Sequence, residues 1–229
     1  MFDLSRLGAW RDLAFFDADL PAIAAKLASE DRTILPPAAQ VFGALERTQP
    51  DDVRVVILGQ DPYPQVGKAD GIAFSIPDTY PRPNRRDSLD NIRGELHADL
   101  GILRRGTSLH DWPDKGVLML NCLALTVPEG KAGGHRSLGW KTLTGQVLAR
   151  LAGHPRAYLL WGADAHKAAA EVDPAQNFKL QSSHPSPLGW KKTGTHFEAF
   201  HGSKPFSRSN AWLRSMGHEA INWDEPEGL

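Results

Sequence analysis

Three polar side chains, Asp61, Asn121 and His184, each lie near the end of a short apolar segment or just beyond it. A carboxylate can stabilise a cation or activate water, an imidazole can donate to developing negative charge, and an amide offers a donor and an acceptor. Taken singly, Asp61 fits a turn or helix cap equally well, and His184 fits an ordinary loop histidine. Asn121 is harder to explain, because a buried amide costs about 1–3 kcal/mol for each unsatisfied group.

The elements that must position these side chains can be predicted from the apolar pattern. Four short segments bounded by turn residues indicate strands, namely Val53–Gly59, Val117–Leu123, Ala157–Gly162 and, more weakly, Phe178–Ser183. Helical patterns cover Leu20–Glu30, Pro37–Thr48, Ser88–Leu100, Trp140–Leu151, Ala163–Val172 and Phe206–Met216, with Ser88 as the N-cap of its helix. The alternation predicts an α/β fold with a parallel sheet covered by helices on both faces. Ligands bind beyond the carboxyl ends of such strands, so the three polar residues should meet at one rim.

The composition limits the classes of function. The chain has 229 residues, 41% of them hydrophobic, and a formal net charge of −1, so any grip on nucleic acid must come from local positive charge. Cys122 is the single cysteine, which excludes a disulfide framework and a cysteine-based zinc site. Phosphate-loop, dinucleotide and serine-elbow motifs are absent from the sequence. The sequence has no apolar signal core and no run long enough to span a membrane, so we expect a cytoplasmic protein.

Several longer motifs carry a resemblance to a known family. They are GQDPY at 59–63, GIAFS at 71–75, VLMLNCLALTV at 117–127, HRSLGW at 135–140, LLWG at 159–162, HPSPL at 184–188, SRSNAWL at 207–213 and INW at 221–223. In this order they resemble family-1 uracil-DNA glycosylases, over roughly residues 35–223. The resemblance implies a single domain, residues 1–229, in three α/β/α layers around a central four-stranded parallel sheet. It also implies that uracil is cut from DNA by hydrolysis of its N-glycosidic bond, leaving an abasic site, with no metal or other cofactor.

The resemblance gives Asp61 and His184 the catalytic roles. Asp61 matches the carboxylate that stabilises the oxocarbenium ion of the sugar and positions the attacking water. His184 matches the residue that hydrogen-bonds uracil O2 as negative charge develops there. No lysine occupies a motif position, so we expect a monofunctional enzyme without a Schiff-base step.

Four further residues match the family's uracil pocket. Asn121 matches the amide that pairs with uracil O4 and N3–H and rejects cytosine, which presents the opposite pattern. Tyr63 matches the ring that blocks the C5 position and so excludes thymine. Phe74 matches the ring that stacks on uracil, and the backbone of Gln60 should face the base.

The remaining matches concern DNA. Leu188 matches the apolar wedge that enters the duplex where the base leaves. The resemblance assigns the segments that pinch the backbone to Ser88, Gly162, Ala163 and Ser186. Local positive charge could come from Arg82, Arg85, Arg86, Lys191 and Lys192, although a merely solvated face is an equally good interpretation.

Three departures from the family pattern stand out. The motif GQDPYH ends here in Pro64, which removes an imidazole near the phosphates, and Ala163 replaces a serine. The stretch after Leu188 is longer than usual and carries Trp190 with Lys191. We expect this longer loop to wedge or hold the duplex and to weaken the docking of a phage inhibitor that mimics DNA. The alternative is an insertion folded against the body of the protein.

Two other functions remain open at this point. One is a binding protein for uracil-containing or abasic DNA with weak turnover, given Pro64 and the altered loop. The other is a glycosylase with a shifted base preference, against which the intact Tyr63 and Asn121 argue. The expected partner is uracil-containing DNA, single- or double-stranded, and the expected state is a monomer.

Overall fold

The structure is a computed structural model, and it describes residues 2–81 and 86–226. The helices are α1 (Phe15–Ala18), α2 (Leu20–Ala28), α3 (Gly43–Arg47), α4 (Ser88–Leu100), α5 (Trp140–Leu151), α6 (Ala163–Ala168) and α7 (Pro205–Ser215). The strands are β1 (Ile34–Leu35), β2 (Val55–Gly59), β3 (Val117–Asn121), β4 (Val127–Pro128), β5 (Ala157–Trp161) and β6 (Phe178–Ser182). Among the described residues, no helix is both long enough and apolar enough to cross a membrane.

The central sheet has four parallel strands in the order β3-β2-β5-β6. The middle strands β2 and β5 are buried along their whole length, which is why their sequences are continuously apolar. The register places Gly59 beside Asn121, so the last residues of β2 and β3 lie side by side. The predicted α/β class and the four-stranded parallel sheet are confirmed. A short antiparallel pair, β1 with β4, escaped the sequence analysis because two-residue strands have no periodicity.

Helices cover both faces of this sheet. Successive side chains of a strand point to opposite faces, and β5 shows this clearly. Tyr158 faces a cleft lined by residues of α5 and α6, whereas Trp161 packs against Phe206 of α7, with ring centroids 6.5 Å apart. The predicted three-layer arrangement is therefore confirmed, with α5 and α6 on one side and α7 on the other.

Some local predictions were wrong. The segment Pro37–Thr48 is not one helix, since its α-helical part is limited to α3, and α6 ends four residues earlier than predicted. The N-cap of α4 is Asp87 and not Ser88. The Asp87 side chain accepts from the backbone N–H of Asp90 at 3.2 Å, and the Asp90 side chain accepts from the backbone N–H of Asp87 at 3.0 Å. This reciprocal capping fixes where α4 begins and makes Ser88 its first residue.

Candidate active site

A small cavity of about 180 Å³ lies at the carboxyl ends of β2 and β3. This volume is below the roughly 300–1,000 Å³ of sites for drug-sized ligands, so it suits a single small ring. Its walls include every residue that the sequence analysis proposed for catalysis or base binding, namely Gln60, Asp61, Tyr63, Phe74, Asn121 and His184. Ser88 also lines it, because the capped N-terminus of α4 faces the cavity.

Asn121 reaches the cavity because its neighbour in β2 is a glycine. A Cβ atom on Gly59 would lie 2.4 Å from Oδ1 of Asn121, closer than any real contact. Asn121 lines the cavity, and no hydrogen bond to its side-chain amide is found among the described residues, so the amide can bind a ligand there. The sheet register thus explains why a polar residue ends an otherwise apolar strand.

The carboxylate of Asp61 is almost out of solvent, with 7% of its side chain exposed. Burial raises the pKa of Asp61, while the Arg136 guanidinium and the backbone N–H of Gly133 oppose that shift. Oδ1 lies 3.5 Å from Nη2 of Arg136, and Oδ2 is buried with no hydrogen-bond partner among the described residues. An unsatisfied carboxylate oxygen costs free energy in the unliganded protein, so Oδ2 is suited to a water or a substrate group.

His184 is held in one protonation state and one tautomer. The backbone N–H of Ser186 donates to Nδ1 at 3.0 Å, so Nδ1 carries no proton. Burial lowers the pKa of His184 to about 4. At neutral pH the ring is therefore uncharged, and Nε2 carries its proton as a hydrogen-bond donor.

Two aromatic rings form the apolar part of the wall. Phe74 has a positive φ of 66°, a strained conformation for a residue other than glycine, and its ring lies 5.8 Å from that of His184. The hydroxyl of Tyr63 donates to the backbone carbonyl of Phe74 at 3.3 Å, which ties the Tyr63 ring to the backbone of Phe74. Backbone strain of this kind is typical of functional sites.

Gln60 takes a different position from its neighbours. Its side chain turns away to donate to Asp164 at 2.6 Å, and its carbonyl accepts from the backbone N–H of Leu123 at 3.0 Å. The backbone N–H is therefore the group of Gln60 that a bound base could use.

Several of the residues proposed for DNA contact lie in or beside this cavity. Gly162, Ala163 and Ser186 line a second cleft of about 280 Å³, next to His184. Gly162 approaches His184 so closely that a Cβ there would lie 3.0 Å from the histidine Cβ. Leu188 projects into solvent with 86% of its surface exposed, as a wedge residue would. Arg82 and Arg85 lie outside the described residues.

The long stretch after Leu188 is folded against the body. Phe200 is fully buried, with its ring 5.1 Å from Trp161, and Phe197 packs on His166 at 5.7 Å. Lys191 and Lys192 remain exposed.

Trp190 of the same stretch is half-buried, and two cationic side chains contact its ring. The guanidinium of Arg86 lies 5.1 Å from its ring centroid, and Nζ of Lys191 lies 4.8 Å away. The stretch therefore combines a packed aromatic interior with a basic outer edge.

The sequence analysis missed Arg136 and Asp164. Both carry charge beside the cavity, since Arg136 faces Asp61 and Asp164 accepts from Gln60. Each sits within or directly after a motif that was noticed, but nothing in the sequence indicates that these side chains turn towards it. Among residues 2–81 and 86–226, no group of three or more His, Cys, Asp or Glu side chains is arranged to hold a metal ion.

Fold and cavity together define the class of the protein. It is an α/β protein in which the carboxyl ends of parallel strands surround a small, partly polar cavity, the usual ligand site of such sheets. The sequence model of the Uracil DNA glycosylase superfamily matches residues 46–216, which include β2 and the whole of α7. The chain belongs to this superfamily.

Known uracil-DNA glycosylases are similar to this chain in sequence and in structure. A uracil-DNA glycosylase of Ruegeria sp. (strain TM1040) is 46% identical over 221 residues, which are 96% of this chain and 90% of the relative. The crystal structure of mimivirus uracil-DNA glycosylase superimposes with a TM-score of 0.86 at 27% identity, covering 98% of this chain and 88% of the viral one. A variant of the mimivirus protein crystallised in complex with UGI gives the same TM-score and identity, covering 98% and 89%.

Proposed function

We propose that this DNA repair glycosylase flips uracil into the cavity at the ends of β2 and β3 and hydrolyses its N-glycosidic bond there. The observation that carries the proposal is the meeting of Asp61, Asn121 and His184 in one small cavity, although they are far apart in the chain. No bulk property favours the reaction, since the net charge is −1. The whole chain, residues 1–229, is proposed to act as one domain.

The bond between C1′ of the deoxyribose and N1 of uracil breaks with both electrons passing to the base. The sugar becomes an oxocarbenium cation and uracil an anion. Nε2–H of the neutral His184 donates to uracil O2, where that negative charge collects. The ionised Asp61 stabilises the cation and orients a water through Oδ2. The water oxygen bonds to C1′ and its proton passes to the Asp61 carboxylate, which leaves an abasic site and a uracil anion.

Base selection uses the other walls of the cavity. The Asn121 amide donates to uracil O4 and accepts from N3–H. Cytosine would leave both the donor and the acceptor of Asn121 unpaired. The Phe74 ring stacks on the base, while the Tyr63 ring fills the space beside C5 and excludes the methyl group of thymine. The backbone N–H of Gln60 donates to the base from the opposite edge. We propose no metal and no covalent lysine step for this reaction.

The DNA strand is proposed to run across the rim of the cavity. Backbone N–H groups and hydroxyls near Ser88, Gly162, Ala163 and Ser186 hold phosphates without reading sequence. The exposed Leu188 fills the gap that the flipped nucleotide leaves. Trp190, Lys191 and Lys192 add an aromatic and basic edge next to it. This local charge compensates for the near-neutral chain.

A turnover assay separates this proposal from a binding protein with weak activity. Duplexes carry uracil, cytosine or thymine at one fixed position, and released base is counted per molecule of protein. We expect many uracils per protein molecule and neither of the other bases. Release of less than one uracil per molecule, despite tight binding, would favour the binding protein. Equal release of thymine would favour a shifted base preference.

Inhibition by a DNA-mimicking protein provides a second test of the contacts proposed at the rim of the cavity. The mimivirus relative crystallised with UGI indicates that such an inhibitor can bind this fold. We propose that a DNA-mimicking inhibitor docks on Leu188 in this chain but more weakly, because the stretch after Leu188 occupies the neighbouring surface. Titration with UGI should leave residual activity at equimolar protein. Complete inhibition at that point would refute the weakening.

A further inference from the structure

A lysine outside the family motifs lies on the face of the Tyr63 ring. Nζ of Lys68 is 4.4 Å from the ring centroid of Tyr63 and 6.0 Å from that of Tyr80. Only 14% of the Lys68 side chain is exposed. A poorly hydrated ammonium group over an aromatic face gains more from the ring than an exposed one would.

Lys68 is itself held in place from two sides. Its ammonium forms an ion pair of 3.2 Å with the carboxylate of Asp87, the N-cap of α4. Its backbone N–H donates to the carbonyl of Gln65 at 3.1 Å in the turn that follows the active-site loop. Lys68 therefore links the loop after β2 to the beginning of α4, and the Tyr63 ring lies against this link.

At least two contacts thus hold the Tyr63 ring. Its hydroxyl is bound to the carbonyl of Phe74, and its face is covered by Lys68. An aromatic ring with one of these contacts could tilt and give way to a larger base. A ring with both contacts is a rigid wall, and a rigid wall is what the exclusion of a single methyl group requires, since shape alone discriminates a methylene weakly.

We propose that Lys68 is a positioning residue for base specificity, which holds the Tyr63 ring against the C5 edge of the base. The proposal rests on the proposed role of Tyr63 as the barrier to thymine. It assigns Lys68 no contact with the base and no part in bond cleavage. Its effect should appear in the choice between bases and not in the rate with uracil alone.

The test compares uracil, 5-hydroxymethyluracil and thymine at one position of the same duplex, with kcat/KM measured for each. Lys68→Met keeps the length and the apolar stem of the side chain but removes the charge. We expect it to raise the thymine-to-uracil ratio of kcat/KM roughly tenfold, the scale of a buried cation–ring contact. Lys68→Arg restores the cation and should return the ratio to the wild-type value.

Controls separate this inference from the function on which it rests. Tyr63→Ala should admit thymine, and Lys68→Met added to Tyr63→Ala should change the ratio no further, because Lys68 acts through the ring. Lys115→Met removes another partly buried lysine, paired with Asp111 at 2.9 Å far from the cavity, and should leave the ratio unchanged.

Three outcomes would count against these ideas, and each has its own meaning. If Tyr63→Ala does not admit thymine, the proposed role of Tyr63 fails. If Tyr63→Ala admits thymine but Lys68→Met leaves the ratio at the wild-type value, the role of Lys68 is overturned. An equal loss with all three bases for Lys68→Met would also overturn it, since it would reveal a general structural effect.

Discussion

At the scale of single residues, the proposed active site needs a charged carboxylate at a buried position, where burial disfavours the charged form. In the proposed reaction Asp61 is ionised so that it can stabilise a cation, yet burial raises its pKa, and the nearby Asp164 raises it further. The Arg136 guanidinium and the backbone N–H of Gly133 lower the pKa of Asp61. His184 is neutral in the proposed reaction, and burial favours that state by lowering its pKa to about 4.

Removal of Arg136 should therefore change the response to acid. As pH falls, activity is lost because Asp61 becomes protonated and because His184, with a pKa of about 4, gains a charge. A higher pKa of Asp61 moves the loss that depends on Asp61 to higher pH. Arg136→Ala should shift the acidic limb of the kcat/KM profile upward by roughly one pH unit. Arg136→Lys keeps the charge and should restore most of the wild-type profile.

The measurement is the pH dependence of kcat/KM for Arg136→Ala and Arg136→Lys, with a duplex that contains one uracil. If the acidic limb of Arg136→Ala coincides with that of the wild type, Arg136 does not control the ionisation of Asp61.

At the scale of elements, the site is produced by the ends of two adjacent strands. The parallel register sets Gly59 beside Asn121, and the missing side chain of Gly59 leaves room for the amide. Gly59→Ala would push a methyl group to 2.4 Å from Oδ1 of Asn121 and to 2.8 Å from the Cβ of Ala73. Either the amide or the strand must then move.

We expect Gly59→Ala to lower kcat/KM for uracil by on the order of 10²-fold, the effect of a misplacement of about 1 Å in an active site. Gly145→Ala in α5 is the matched control, since its new Cβ would meet nothing within 4 Å. The control should keep full activity. Wild-type kinetics for Gly59→Ala would mean that Asn121 is not held by this contact.

The sequence predicted these elements well where the apolar pattern is clear, and poorly elsewhere. The four strands of the central sheet lie within the short apolar segments that predicted them, and α4 and α5 match their predicted spans. The N-cap of α4 was misassigned to Ser88 because Asp87 and Ser88 are both good capping residues, and hydrogen-bond geometry alone distinguishes them. Arg136 and Lys68 could not be found from sequence, since their roles depend on where long side chains fold back across loops.

At the scale of the whole molecule, the proposed DNA contact must rely on the basic edge near Leu188, because the net charge of the chain is −1. The stretch after Leu188 is part of the body, because Phe200 lies in the core against Trp161. Deleting the whole stretch would therefore damage the core and test little about DNA. Substitution of its exposed lysines is the cleaner experiment.

The double variant Lys191→Ala/Lys192→Ala should bind a duplex containing an abasic site less tightly, with a weaker dependence on salt. Each lost phosphate contact lowers the slope of log K against log salt by roughly 0.7–0.9. Lys26→Ala, which removes an exposed lysine of α2, is the control and should leave the slope unchanged. An unaltered slope in the double variant would show that these lysines face solvent and not DNA.

The central claim is that the Asp61 carboxylate takes part in breaking the bond, whereas the binding of uracil in the cavity does not depend on this carboxylate. The most direct measurement is the single-turnover release of uracil by Asp61→Asn, together with its affinity for the same uracil-containing duplex. The substitution preserves size and removes charge, so we predict a rate lower by roughly 10²–10⁴-fold with affinity within about threefold of the wild type. A rate close to that of the wild type would contradict the account, because the carboxylate would then have no part in breaking the bond.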